Sequence, residues 1–228
     1  MKKSRTPKNN NNNLTLKNAT FFSLGTLALI TAILSLAIAL TIWNIPMYTH
    51  FLNKFNLGDK VNLSNEQVQE NYIILLKYLH LPWIHELNMP DFPSSELGAF
   101  HFYEVKQLFY LEYIVLIVSC TASFFFLKKL HKGNYWAKLK NTFLFLAILP
   151  LGIIILITTF FDKIFLLFHK SFFNNDAWLF NPASDPIINV LPQEFFMACF
   201  LQVFITLEIT LIVLFIISWR AYKKSNLK

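Results

Sequence analysis

Charge and glycine are both scarce in this chain. Only 14% of its 228 residues are charged and only 5 are glycine. Soluble domains carry about 25% charged residues, so a water-facing surface on all sides is excluded. No Walker A loop, glycine-rich phosphate loop, GxSxG elbow or HExxH pair occurs, which removes the sequence signatures of phosphate cradles, nucleophile elbows and zinc hydrolases. Ser94, Ser95, Ser171 and Ser184 are present, but no pattern nominates any of them as a nucleophile. Cysteine is limited to Cys120 and Cys199, each in an apolar run, so there is neither a disulfide framework nor a CxxC motif.

What is abundant is hydrophobic: 55% of the residues, with 25 phenylalanines. Four runs, at 21–43, 108–127, 143–161 and 195–219, are long enough to cross about 30 Å of hydrocarbon, which takes roughly 20 helical residues. Unpaired backbone groups are not tolerated in lipid, so such runs are helices. The expected fold is mainly α, a four-transmembrane-helix bundle. Ala37-Ile38-Ala39 resembles a signal-peptide cleavage site, but the apolar run continues through Trp43 and is too long for a signal peptide's apolar region. The asparagine run 9–13 reads as a disordered tail.

The basic residues are distributed unevenly. The tail 1–20, the loop 128–142 and the tail 220–228 hold five, five and four of them, fourteen of the 20 in the chain, and no acidic residue. By the positive-inside rule both termini are cytoplasmic. The same bias accounts for the net charge of +7 without nucleic acid; anionic membrane lipid is the partner expected for these segments.

Segments 44–107 and 162–194 then lie outside. The first is long enough for a small cap. Ser64 followed by Gln67 makes a capping box, and Val68, Tyr72, Leu75, Leu76 and Leu79 recur at helical spacing, which predicts an amphipathic helix over 64–80. Pro82, Pro90 and Pro93 break the chain after it, and 97–102 is expected to be a short extended piece. The second outer segment is irregular. Trp83, Phe100, Tyr103, Tyr110, Phe172, Phe173, Trp178 and Phe180 fit an aromatic belt at headgroup level.

Two of the six histidines stand apart. His50, His80 and His85 in the cap and His131 among the lysines read as surface residues. His80 and His85 are five apart across Leu81-Pro82, which is no zinc spacing. His101 lies about two turns before the second run and His169 about two turns after the third, so both come to the outer headgroup level. An imidazole there can take and return a proton near neutral pH; the competing reading is a pair of headgroup-binding or capping histidines. Glu104, one turn after His101, shares its helix face and could orient the ring. Asp185, between Ser184 and Pro186, reads equally as a turn residue. Glu112 and Glu208 fall inside apolar runs, Glu208 near mid-span, where a carboxylate is costly. It is then protonated, paired or lining a polar cavity.

The two histidine stretches resemble a known family. His101-Phe102-Tyr103-Glu104-Val105-Lys106-Gln107-Leu108-Phe109 is similar to its hallmark of His, two variable residues, an acid, Val, Lys and Leu-Phe, with Glu104 where the family usually has Asp. The stretch 168–173 with Trp178, Pro182, Asp185-Pro186-Ile187 and 191–196 is similar to its second block. The family is the four-span bacterial membrane proteins that include the lipoprotein intramolecular transacylase, and the resemblance covers most of the chain. It implies His101 and His169 as catalytic residues, supported by Glu104, Tyr103, Lys106, Trp178 and Asp185. It implies a diacylglyceryl-cysteine lipoprotein as substrate, whose sn-2 acyl chain moves to its own α-amino group, leaving the lyso-form lipoprotein. No acyl donor, metal or other cofactor is implied. Which histidine is base and which donates to the oxyanion or leaving oxygen stays open, as does an acyl-histidine route.

Two other functions fit the same layout. A non-enzymatic envelope scaffold or lipid-binding protein would tolerate loss of both histidines. A small transporter would use Glu208, but no inverted repeat is visible.

Overall fold

Four apolar segments that must satisfy their own backbone in lipid become helices, and the cap adds shorter ones. The computed structural model describes residues 10–133 and 135–227, with side chains from Ala19 onward. Its described residues contain seven α-helices and no strand: α1 (Asn10–Ile42), α2 (Ile45–Lys54), α3 (Asn65–His80), α4 (Glu96–Lys132), α5 (Lys140–Leu146), α6 (Ile148–Phe172) and α7 (Gln193–Asn226). Stretches Ala19–Ile42, Glu96–Lys132, Trp136–Phe172 and Gln193–Asn226 are each long and apolar enough to cross a membrane.

The third crossing is made of two helices. Pro150 has no N–H, and its ring opposes the carbonyl of residue 146, where α5 ends. Restarting at Ile148 puts Pro150 in a first turn, where the N–H is not needed. A second kink falls at Phe160, with φ −131° and ψ 34°. Leu24, Leu27, Ile114, Val118, Phe125 and Ile155 point outward, a surface suited to lipid. Inside, α1 packs on α4 and α7, and α6 on α7. Gly25 permits the first of these contacts: a Cβ there would lie 2.1 Å from the Phe126 ring. Leu29, Phe126, Leu130, Phe143 and Leu211 fill the bundle at that end.

The cap has its own core, built on Tyr48, Leu52, Val68, Leu75, Phe92 and Val190. The predicted amphipathic helix is α3, and Ser64 and Gln67 form the capping box, each side chain engaging the other's backbone N–H. Buried Asn71 ties α3 to the following loop: its Nδ2 donates to Asp91 Oδ2 at 2.7 Å and its Oδ1 accepts from Asp91 N at 3.1 Å. The Tyr48 hydroxyl donates to the Val190 carbonyl at 3.0 Å, joining α2 to the second loop.

Four expectations are corrected. Residues 97–102 are helical, because Ser95 caps α4 through a bond from Gly98 N and Glu96 in the first turn suits the helix dipole. The asparagine run is helical from Asn10: asparagine is a poor helix former, but extending a formed helix adds a hydrogen bond per residue. Asn9 lies outside the described residues, as do Lys2, Lys3, Arg5, Lys8 and Lys228. His80 is buried, while His50, His85 and His131 are exposed as expected. Finally, the aromatic belt is incomplete. Trp83, Phe100, Tyr103 and Phe172 face outward, but Phe173 is buried and Trp178 and Phe180 are half-buried against the histidines.

Candidate active site

The start of α4 is pinned to the loop after α6. Asp185, 3% exposed, accepts from Ser95 N through Oδ1 and from the Ser95 and Ser184 hydroxyls through Oδ2, at 2.7–2.8 Å. Gly98 makes room for this clamp: a Cβ at that position would sit 2.1 Å from Asp185 Oδ1. The turn reading of Asp185 and the site reading therefore meet, since the turn presents a carboxylate that anchors the helix carrying His101.

Six residues along α4 from the clamp, His101 is 6% exposed, and His169, in the last turn of α6, is 9% exposed. Their ring centroids are 6.0 Å apart with planes at 34°. Aromatic rings wall them in: Phe173 at 4.6 Å and Phe180 at 5.5 Å from His101, and Phe165 at 4.2 Å and Trp178 at 4.7 Å from His169.

The two imidazoles differ in their hydrogen bonds. His169 Nδ1 is 2.8 Å from the Phe165 carbonyl. A carbonyl only accepts, so Nδ1 carries the proton, and the neutral ring presents Nε2 as a lone pair. His101 Nδ1 is buried with no partner. A buried orphan N–H is rarer in folded proteins than an under-satisfied acceptor, so the tautomer with the proton on Nε2 is preferred.

His101 precedes the uncharged part of its apolar run, 113–127, and His169 follows the apolar run 143–161. The 37-residue α4 is about 55 Å long against about 30 Å of hydrocarbon, and its charged first turns hold His101; His169 sits beside Lys170. Burial pushes the His101 pKa down to about 4, and the charge of a protonated His169 would lower it further. Burial also lowers that of His169, against the opposing effect of the Phe165 carbonyl. Burial thus favours the neutral form of both rings.

Glu104 does not orient His101. Its Oε1 accepts from Asn175 Nδ2 at 2.8 Å, and its Oε2 is buried without a partner. Asn175 went unnoticed in the sequence. Its Oδ1 accepts from Ala177 N at 2.9 Å and its backbone carbonyl accepts from the Trp178 indole N–H at 3.0 Å, so one residue links Glu104 through its side chain to the ring beside His169 through its backbone. The available signal was Asn174-Asn175-Asp176, a turn signature between aromatic residues. Tyr103 is 51% exposed and points away. Lys106 is buried in the cap, where it donates to the Ile84 carbonyl and lies 4.3 Å from the Tyr78 ring. The structure thus gathers His101, His169, Trp178, Asp185 and Glu104, and leaves Tyr103 and Lys106 elsewhere. Among the described residues no three His, Cys, Asp or Glu side chains are grouped as metal ligands.

Fold and geometry together define a class: a multi-pass helical membrane protein with a sheltered pair of neutral imidazoles at one end of its bundle. The family model for the lipoprotein intramolecular transacylase Lit matches residues 23–196. The chain therefore belongs to the lipoprotein intramolecular transacylase family, an acyltransferase acting on lipoproteins at the membrane. An in meso structure of the membrane-integral transacylase Lit from Bacillus cereus superposes with a TM-score of 0.84 at 24% identity, covering 94% of this chain and 100% of that one. Two structures of the same Bacillus cereus protein, with a histidine replaced by arginine or by alanine, each give 0.79 at 24% identity and cover 95% of this chain and 98% or 100% of theirs. A comparison with curated proteins finds no match.

Proposed function

We propose that His101 and His169 together move the sn-2 acyl chain of a diacylglyceryl-cysteine lipoprotein onto that cysteine's own α-amino group. The observation that carries this reading is the pair itself: two buried, neutral imidazoles with ring centroids 6.0 Å apart, one of them locked into a base-competent tautomer by the Phe165 carbonyl. The division of labour follows from the tautomers. The free amine, with an ordinary pKa near 7.7–8.0, attacks the ester carbonyl while His169 Nε2 takes its proton. His101 Nε2–H donates to the oxyanion of the tetrahedral intermediate. His169 then returns the proton to the glycerol oxygen as the ester C–O bond breaks. An amide forms, a hydroxyl is released, and no proton is gained or lost overall. Amine and ester belong to one molecule, so most of the rate is expected from holding them in register.

The charge asymmetry supports cytoplasmic termini, which would put the pair and the cap on the extracytoplasmic face. The test uses a lipoprotein-producing bacterial host lacking other N-acylating activity. His101→Ala and His169→Ala, each present in the membrane at the normal level, should reduce lyso-form N-terminal lipopeptides by at least about 100-fold by mass spectrometry, the scale of acid–base contributions. Undiminished product from either variant would sink the paired mechanism.

A further inference from the structure

Glu104 is the odd group in this site. It is a carboxyl group one turn along α4 from His101, with one oxygen held by Asn175 at 2.8 Å and the other buried and unpartnered. No described cation pairs with it. Lys106, two residues on, is turned into the cap and spent on the Ile84 carbonyl and the Tyr78 ring. One turn back on the same helix face, His101 Nδ1 is a second buried acceptor with no partner. Folded proteins rarely leave buried acceptors empty, and a site that does is shaped for a donor from outside. Two acceptors repel a phosphate or a carboxylate. They suit a group that carries several N–H donors and a positive charge.

We propose that Glu104 holds the α-ammonium group of the lipoprotein's N-terminal cysteine, placing it beside the histidine pair. This rests on reading His101 and His169 as the reacting pair, and it adds how the nucleophile is recognised. Asn175 is the positioning residue. Its side-chain N–H fixes Oε1, so Oε2 is the oxygen left to meet the substrate, and its backbone carbonyl holds Trp178 beside His169. The amine is thereby aimed from the α4 side toward the base on α6. Once docked, the ammonium loses its first proton to solvent, and Glu104 then accepts a hydrogen bond from the neutral amine.

The same ammonium exists on an ethanolamine phospholipid, so the test must separate the two sources. The full chain in nanodiscs would be titrated with a dialkyl-ether analogue of the diacylglyceryl-cysteinyl peptide, which cannot transfer an acyl chain. It would be measured with a free and with an acetylated amine. The wild-type protein should prefer the free amine by about 10- to 100-fold, the range of a charge-assisted hydrogen bond. Glu104→Gln should abolish that preference while binding the acetylated analogue as the wild type does, and Glu104→Asp should retain part of it. With reactive substrate, Glu104→Gln should also move the amine-controlled limb of the kcat profile, which reports the bound amine, to lower pH, because a neighbouring carboxylate favours the charged amine; a merely structural role would leave that limb in place. An undiminished free-amine preference in Glu104→Gln would overturn the proposal. So would displacement of the free-amine analogue by ether-linked phosphatidylethanolamine at equal concentration. Failure of the histidine reading shows differently: His169→Ala would stay active whatever Glu104 does.

Discussion

His101 is held neutral by its surroundings, and this has a measurable consequence. With its pKa pushed down to about 4 by burial, it does not titrate near pH 6.5, where an exposed imidazole would. The acid side of the rate profile should instead follow the substrate amine. Log kcat/KM is expected to rise with unit slope toward about pH 8 and flatten there, with no inflection near 6.5, when measured with a synthetic lipopeptide in nanodiscs. An inflection near 6.5 would mean that the pair is solvated in the working enzyme. The sequence already carried His101, His169 and the acid between them. It did not carry Glu104's true partner, because Asn175 lies 71 residues away and a contact between distant loops leaves no local periodicity.

Among the elements, α4 carries the site, and its start is set from outside. The Ser95–Asp185 bonds join residues 90 apart, so the helix begins where the second loop grips it. Gly98→Ala puts a methyl group into the Asp185 carboxylate. The expected result is a large loss of transfer, about 10-fold or more, since a 1 Å misplacement of a reacting group can cost that much, with the protein still membrane-inserted; product yield and membrane level measured together check it. The extended reading of 97–102 failed for the same reason: Ser95 and Glu96 are helix-start residues, but the preceding prolines signal a chain break, and the clamp that starts the helix is a long-range contact. By contrast, α3 was legible in full, because its capping box and apolar spacing are local.

At the scale of the molecule, the four crossings could be read from apolar runs alone, whereas the docking of the cap could not. His80 at the end of α3 stacks on Trp43 of the first crossing at 4.0 Å. The Trp43 indole donates to the Tyr113 hydroxyl at 2.9 Å, which leaves the hydroxyl proton for His80 Nδ1 at 2.6 Å. Three segments far apart in the chain meet there. Burial lowers the His80 pKa below 6.5, so its contribution is complete above about pH 6.5 and is lost as pH falls through the depressed folded value. Tyr113→Phe should destabilise the protein by roughly 1–3 kcal/mol, the cost of stranding a buried partner. His80→Gln, which cannot titrate, should flatten the acid-side loss of thermal stability, as read by nanodisc unfolding at pH 5 and pH 7.5. Equal acid sensitivity in wild type and variant would remove His80 as its source.

The ring walls around the two imidazoles carry one more implication. An ester poised beside a base and an oxyanion donor is, chemically, as ready for hydrolysis as for aminolysis. On the proposed mechanism, Phe165, Phe173, Phe180 and Trp178 around the pair would keep bulk water from the carbonyl and leave the amine of the same molecule as the nucleophile in place. The phenylalanine-rich packing that looks like mere membrane filler would then set the fate of the acyl chain, which stays on the lipoprotein instead of leaving as free fatty acid.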